Sequence, residues 1–179
     1  MRAVMRVSLV SFVVGLAANT AGADGNKDRT PEMDEAARAF LKAYLAKDLD
    51  AVMAAVAAPF GIGTLRDPKT LKTGADLRNE LKARLAKDAK FPSRVAKTLT
   101  WDQAIGSQLT SDEERTTRQQ LKPAIDLTGK DGGYAALGDS VQIAKGRKGL
   151  AIADTRLLVG IRDGKAKVVG IVVDDPRKR

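Results

Sequence analysis

The chain has 179 residues and a formal net charge of +9, and it contains no cysteine and no histidine. These two absences exclude disulfides, thiol nucleophiles and histidine-based catalysis or metal binding. Aromatic residues make up only 4% of the chain, so few side chains could stack on nucleic-acid bases. The length is sufficient for one domain with its own core.

The N-terminus has the pattern of an export signal. Arg2 and Arg6 flank the start of an apolar run over 7–18, and Ala21-Gly22-Ala23 fits a small-x-small cleavage site. We therefore expect a signal peptide over 1–23 and a mature bacterial protein in the periplasm or outside the cell. The alternative is an uncleaved anchor, but the run is shorter than the roughly 20 residues that span a bilayer. A lipoprotein would need a cysteine at the cleavage site, and the chain has none.

Two helices are predicted after a polar leader that ends at residue 30. Thr30 as N-cap and Pro31 at the first helical position begin the first helix, which should end near Lys47. Asp48 caps the second helix, and Pro59 should stop it.

A first strand and a third helix follow. Alternating apolar residues predict a strand over 60–66, and Asp67-Pro68 is a turn signal. Thr73 opens the third helix, with Asp76 three residues later in capping-box position.

The middle of the chain has a weaker pattern. Residues 95–101 predict a strand, and Ser111 with Glu114 forms a second capping box at the start of a polar helix. Pro123 should limit that helix. Residues 134–145 then predict one or two strands.

Asp163-Gly164 predicts a tight hairpin near the C-terminus. A two-residue turn would build an apolar face by pairing Ile161 with Ala166, Val159 with Val168, Leu157 with Gly170 and Thr155 with Val172. The opposite face is expected to be at least half exposed to water. It carries the basic residues Arg156, Arg162, Lys165 and Lys167.

Helices first and antiparallel strands last favour one α+β domain over 31–175, followed by a basic tail over 176–179. The helices of 31–58 and 73–88 should cover the hairpin's apolar face. The segments AKDLDAVMAAVAAPF and RDGKAKVVGIVVDD, in this order of elements, resemble the nuclear transport factor two-like superfamily. The resemblance covers 31–175, loosely over 90–133. It implies N-terminal helices on a curved, mostly antiparallel sheet, a cystatin-like cone with an apolar pocket, and dimers through the sheet.

The resemblance also implies candidate site residues. In the ketosteroid isomerase branch the catalytic aspartate precedes a proline after the first strand, and Asp67 matches; the alternative is an ordinary turn aspartate. Phe40 replaces the oxyanion-hole tyrosine and cannot donate a hydrogen bond. The second donor could be Asp154 only with a register offset. The expected pocket lining is Phe40, Tyr44, Phe60, Trp101, Leu157, Val159 and Val168.

These observations favour an exported, non-catalytic module that binds a small apolar ligand or a protein. One alternative is an isomerase, dehydratase or hydrolase with Asp67 as general base. Another is a polyanion-binding surface protein, because basic residues concentrate in the third helix, 145–148 and 176–179; a solvated, solubilising basic surface is the favoured explanation of these residues. Export and few aromatics argue against specific nucleic-acid recognition. No phosphate loop, nucleophile elbow or metal-ligand cluster is present, so no cofactor is expected.

Overall fold

The computed structural model describes residues 28–87, 91–105, 111–138 and 154–174. The predicted signal peptide, the basic tail and residues 139–150 lie outside the described residues. In chain order the elements are α1 (Thr30–Leu45), α2 (Leu49–Ala55), β1 (Val56–Thr64), β2 (Pro68–Leu71), α3 (Gly74–Lys87), β3 (Val95–Thr100), α4 (Trp101–Ile105), α5 (Ser111–Thr128), β4 (Gly133–Leu137), β5 (Asp154–Arg162) and β6 (Lys165–Asp174).

The strands form one six-stranded sheet in the order β2-β1-β6-β5-β4-β3. The β1–β6 pair is parallel and the other neighbours are antiparallel. The predicted α+β class, with helices packed on a mostly antiparallel sheet, is confirmed. Within the described residues no helix is both long and apolar enough to cross a membrane.

Two of the predicted helix caps are present. The Asp48 carboxylate accepts from the Ala51 amide at 3.0 Å, and the Thr73 hydroxyl accepts from the Asp76 amide at 3.1 Å. These bonds satisfy amides in the first turn that have no partner within the helix. The predicted cap of α1 is wrong by one residue, because Arg29 occupies the N-cap position and makes no side-chain cap bond.

The prediction that Pro59 ends the second helix is wrong. The helix ends at Ala55, and Pro59 lies inside β1, where its side chain is exposed. The pairing of β1 with β6 is interrupted between Val56 and Gly61. Proline has no amide hydrogen to donate, so an interruption in the ladder is where a strand tolerates it.

The prediction that Pro123 limits the polar helix is also wrong, because α5 continues through Pro123 to Thr128. Ala124, Leu127 and Thr128 are buried against the sheet. Burial of this last turn offsets the backbone hydrogen bond that the proline removes.

Helices cover both faces of the sheet, whereas the sequence predicted helices on one face only. Residues of α1, α2 and α3 pack with Leu157, Val159 and Val168 in one buried cluster. Residues of α4 and α5 pack with Leu158 and Val169 in a second cluster. Because successive strand residues point to opposite faces, these two clusters lie on opposite sides of β5 and β6. The second hairpin face, predicted to be at least half wet, is therefore covered by α4 and α5 at Leu158 and Val169, whereas Lys165 near the turn stays exposed.

The hairpin register agrees with the prediction near the turn and differs from it farther away. Asp163 (φ 51) and Gly164 (φ 75) form the predicted turn, and the pairs Ile161–Ala166 and Val159–Val168 are confirmed. A bulge then shifts the register, so the two predicted pairs farther from the turn are wrong. The observed pairs there are Leu158 with Gly170, Leu157 with Ile171, Arg156 with Val172 and Thr155 with Val173. The extra residue in β6 exchanges the faces of the residues beyond it.

A polar link joins α1 to the edge strand β3. The Thr98 hydroxyl and the Arg38 guanidinium both donate to the Asp34 carboxylate, at 2.8 Å and 2.6 Å. The bond from Arg38, with the smaller contribution of Thr98, holds the pKa of Asp34 below its ordinary value, although partial burial opposes the shift.

We predict that Asp34→Asn lowers the free energy of unfolding at pH 7 by roughly 1 kcal/mol, because the charged pair is only partly buried. The lowered pKa makes this stabilisation complete well above the unfolded carboxyl pKa of about 3.9, and it is lost as the pH falls through the folded value. Urea unfolding of both proteins from pH 7 to pH 2 should show the gap closing in acid. Asp131→Asn, in an exposed turn, is the control; a gap that is independent of pH would contradict the assignment.

Candidate functional site

Six of the residues predicted to line an apolar pocket lie together in the core. Phe40, Phe60, Leu157, Val159 and Val168 have no exposed surface, and Tyr44 is 3% exposed. The ring of Tyr44 lies 5.5 Å from Phe40 and 4.3 Å from Phe91 between centroids. The structure brings these side chains together, and they pack against one another in the cluster beneath α1.

Trp101 is separated from that group by the sheet. It begins α4, belongs to the cluster beneath α5, and its indole N–H donates to the Thr128 hydroxyl at 2.6 Å. Its ring lies 5.6 Å from that of Tyr134. Asp102 beside it is exposed and accepts from Arg118 at 2.8 Å.

Asp67 lies in the exposed turn between β1 and β2. Its backbone amide donates to the Thr64 hydroxyl at 3.2 Å, as is usual in a tight turn. Asp154, the other candidate carboxylate, is the first residue of β5 and pairs with Asp174. The structure therefore places Asp67 apart from the buried cluster that contains Phe40 and Tyr44.

A cleft that the sequence analysis did not identify lies where α1, α2 and the tip of the β5–β6 hairpin meet. It has a volume of about 580 Å³ and is open to solvent. None of the residues predicted to line a pocket lines this cleft. Its floor is formed by short side chains from two helices: Ala36, Ala39, Ala43, Ala51, Ala54 and Ala55.

Charged side chains flank this alanine floor. Glu32 and Glu35 line the cleft from α1, and Lys165 and Lys167 line it from the hairpin. The Lys167 ammonium donates to the Ala54 carbonyl near the end of α2, where the helix dipole favours a cation. The cleft therefore has an apolar floor with acidic residues on one side and basic residues on the other.

The chemistry available in this cleft is suited to binding. Among the described residues no group of acidic side chains is arranged to hold a metal ion. A general base or acid in an enzyme acts from within a cavity that also holds hydrogen-bond donors for the reacting group. The cleft combines apolar contact with charges of both signs, and these can orient a ligand along it.

Comparisons with known proteins give a weak structural likeness. No protein-family model matches the chain, and no curated protein matches it. A solved structure from Nostoc punctiforme, described as a protein of unknown function with a cystatin-like fold, matches with 15% identity and a TM-score of 0.40. The match covers 82% of this chain and 90% of that chain. The fold class therefore rests on the chain's own helices and strand order.

We predict that Thr128→Val lowers the free energy of unfolding by about 1–3 kcal/mol, because it leaves the buried Trp101 N–H without its acceptor. Thr116→Val, at an exposed position of the same helix, should change it by less than about 0.5 kcal/mol. Chemical denaturation measures both values. Equal effects of the two substitutions would show that the Trp101 bond does not anchor α5 to α4.

Proposed function

We propose that the chain is an exported, non-catalytic binding module of the nuclear transport factor two-like superfamily, and that the alanine cleft is its binding site. The order α1-α2-β1-β2-α3-β3 and the closing β5–β6 hairpin in the middle of the sheet support the superfamily. The sequence pattern of residues 1–23 supports export.

The observation that carries the proposal is an unfilled, partly apolar cleft beside a central hairpin whose two faces are packed. Its volume of about 580 Å³ is within the range of roughly 300–1,000 Å³ typical of ligand sites. Both faces of the central hairpin are covered by the protein's own side chains. A ligand in the cleft can bind without displacing any of them.

The enzymatic alternative with Asp67 as base has less support. Asp67 is exposed and does not line the cleft. A carboxylate in an exposed turn is outside the kind of enclosed cavity in which a general base acts on a bound substrate. The polyanion-binding alternative depends largely on basic residues at 145–148 and 176–179, which lie outside the described residues.

We predict that filling the cleft weakens ligand binding. Amide NMR signals of the labelled protein would be followed while a library of apolar small molecules and apolar peptides is added. At least one compound should shift the signals of cleft residues such as Ala39, Ala54 and Ala166. Ala39→Leu should weaken its binding about tenfold or more, because overpacking a contact costs about 1–3 kcal/mol.

Ala83→Leu is the matched control, since Ala83 is an exposed helical alanine on α3, away from the cleft lining. It should leave the dissociation constant unchanged within about twofold. The proposal fails if no compound shifts the cleft signals, or if Ala39→Leu and Ala83→Leu have the same effect.

A further inference from the structure

We infer that the occupant of the alanine cleft is an amphipathic helix of a partner protein, with large apolar side chains on one face and charges of opposite sign along its two edges. This inference rests on the proposed function and specifies its ligand. Three features of the cleft carry it: the shape of its floor, the absence of a strand edge, and the signs of its flanking charges.

The alanine floor requires a partner whose own large side chains fill the groove. Ala36, Ala39 and Ala43 recur at helical spacing on α1, and Ala51 and Ala54 do so on α2. Side chains this short let another helix approach closely, and the large side chains that fill the groove between α1 and α2 must then come from that helix. Ligand sites for small apolar molecules are instead lined mainly by large apolar and aromatic side chains, of which this cleft has none.

A second copy of the chain does not fit the same requirement. The cleft surface presents alanines, a glycine and charged side chains, so two clefts placed face to face would leave both floors unfilled. A symmetric dimer needs a surface that complements itself.

An extended peptide is not favoured either. Strand addition requires an exposed sheet edge that offers a row of backbone hydrogen bonds. The edges of this sheet are β2 and β3, whereas the hairpin in the cleft wall is formed by the two interior strands β5 and β6. The helix-in-groove mode of recognition remains the one that matches the walls.

The charges define the edges of the partner helix. Glu35 lies on the α1 side and favours basic residues on the edge that faces it, while Lys165 on the hairpin side favours acidic residues. Glu32, which also lines the α1 side, already lies 3.6 Å from the Arg29 guanidinium. A helix with edges of opposite sign can satisfy both sides, whereas a helix with two edges of the same sign is repelled on one side. The charge pattern therefore specifies the partner helix and fixes the direction in which it lies.

The test uses three synthetic helical peptides that share one leucine stripe. The first carries lysine along one edge and glutamate along the other; the second carries lysine on both edges, and the third glutamate on both. Fluorescence anisotropy of each labelled peptide with the mature chain, at low ionic strength, gives the dissociation constants. The mixed peptide should bind several-fold more tightly than either single-sign peptide, since each mismatched rim contact costs a few-fold in affinity.

A charge-reversal variant provides the decisive comparison. Glu35→Lys makes the cleft more basic, so the mixed peptide should lose affinity and the all-glutamate peptide should gain it, each by about threefold or more. Ala39→Leu should weaken every peptide about tenfold, and Ala83→Leu should weaken none. Circular dichroism of Glu35→Lys and Ala39→Leu confirms that both fold.

Three results would overturn the inference: no binding of any peptide at millimolar concentration, equal affinity for all three, or binding that is insensitive to Ala39→Leu. If small molecules nevertheless bind in the cleft and lose affinity in Ala39→Leu, the helical partner is wrong and the binding-module proposal stands. If neither small molecules nor peptides bind there, both fail.

Discussion

The burial of the β5–β6 hairpin on both of its faces is the constraint on which the rest of the domain depends. Leu157 and Leu158 are adjacent in sequence, point to opposite sides, and have no exposed surface. One lies beneath α1 and the other beneath α5. Close backbone approach completes the second layer, because a Cβ at Gly160 would lie 2.7 Å from the Thr128 carbonyl oxygen. Arg162 then donates to the Leu127 carbonyl at 2.5 Å, at the end of α5.

This arrangement decides where a ligand can bind. The side chains that would line a cone interior, including Phe40 and Tyr44, are packed among themselves and against the hairpin. The sheet face implied for dimers carries α4 and α5 over its central strands. Space remains where α1 and α2 carry alanines toward the hairpin tip. The proposed binding site therefore lies outside the core, where recognition need not reorganise it.

The parts of the fold that depend on local chemistry could be predicted from the sequence. Asp163-Gly164 specifies its turn, and Asp48 and Thr73 specify their caps, because each acts on neighbouring backbone groups. Three other features depend on contacts with distant elements and could not be predicted from the sequence. They are the bulge in β6, the continuation of α5 through Pro123 and the position of Pro59 inside β1. The cleft could not be predicted from the sequence because small side chains form it. The alanines at positions 36, 39 and 43 lie on a second face of α1 and give no strong apolar periodicity.

The central claim, that the hairpin is buried on both faces, is tested most directly by comparing Leu157→Ala with Leu158→Ala in equilibrium unfolding. The account predicts that each substitution lowers the free energy of unfolding by about 2–5 kcal/mol, as expected for a fully buried leucine. A full cost for Leu157→Ala with a cost below about 1 kcal/mol for Leu158→Ala would contradict it. The second face would then be open to water, as the sequence pattern first suggested, and the sheet would be available to partners.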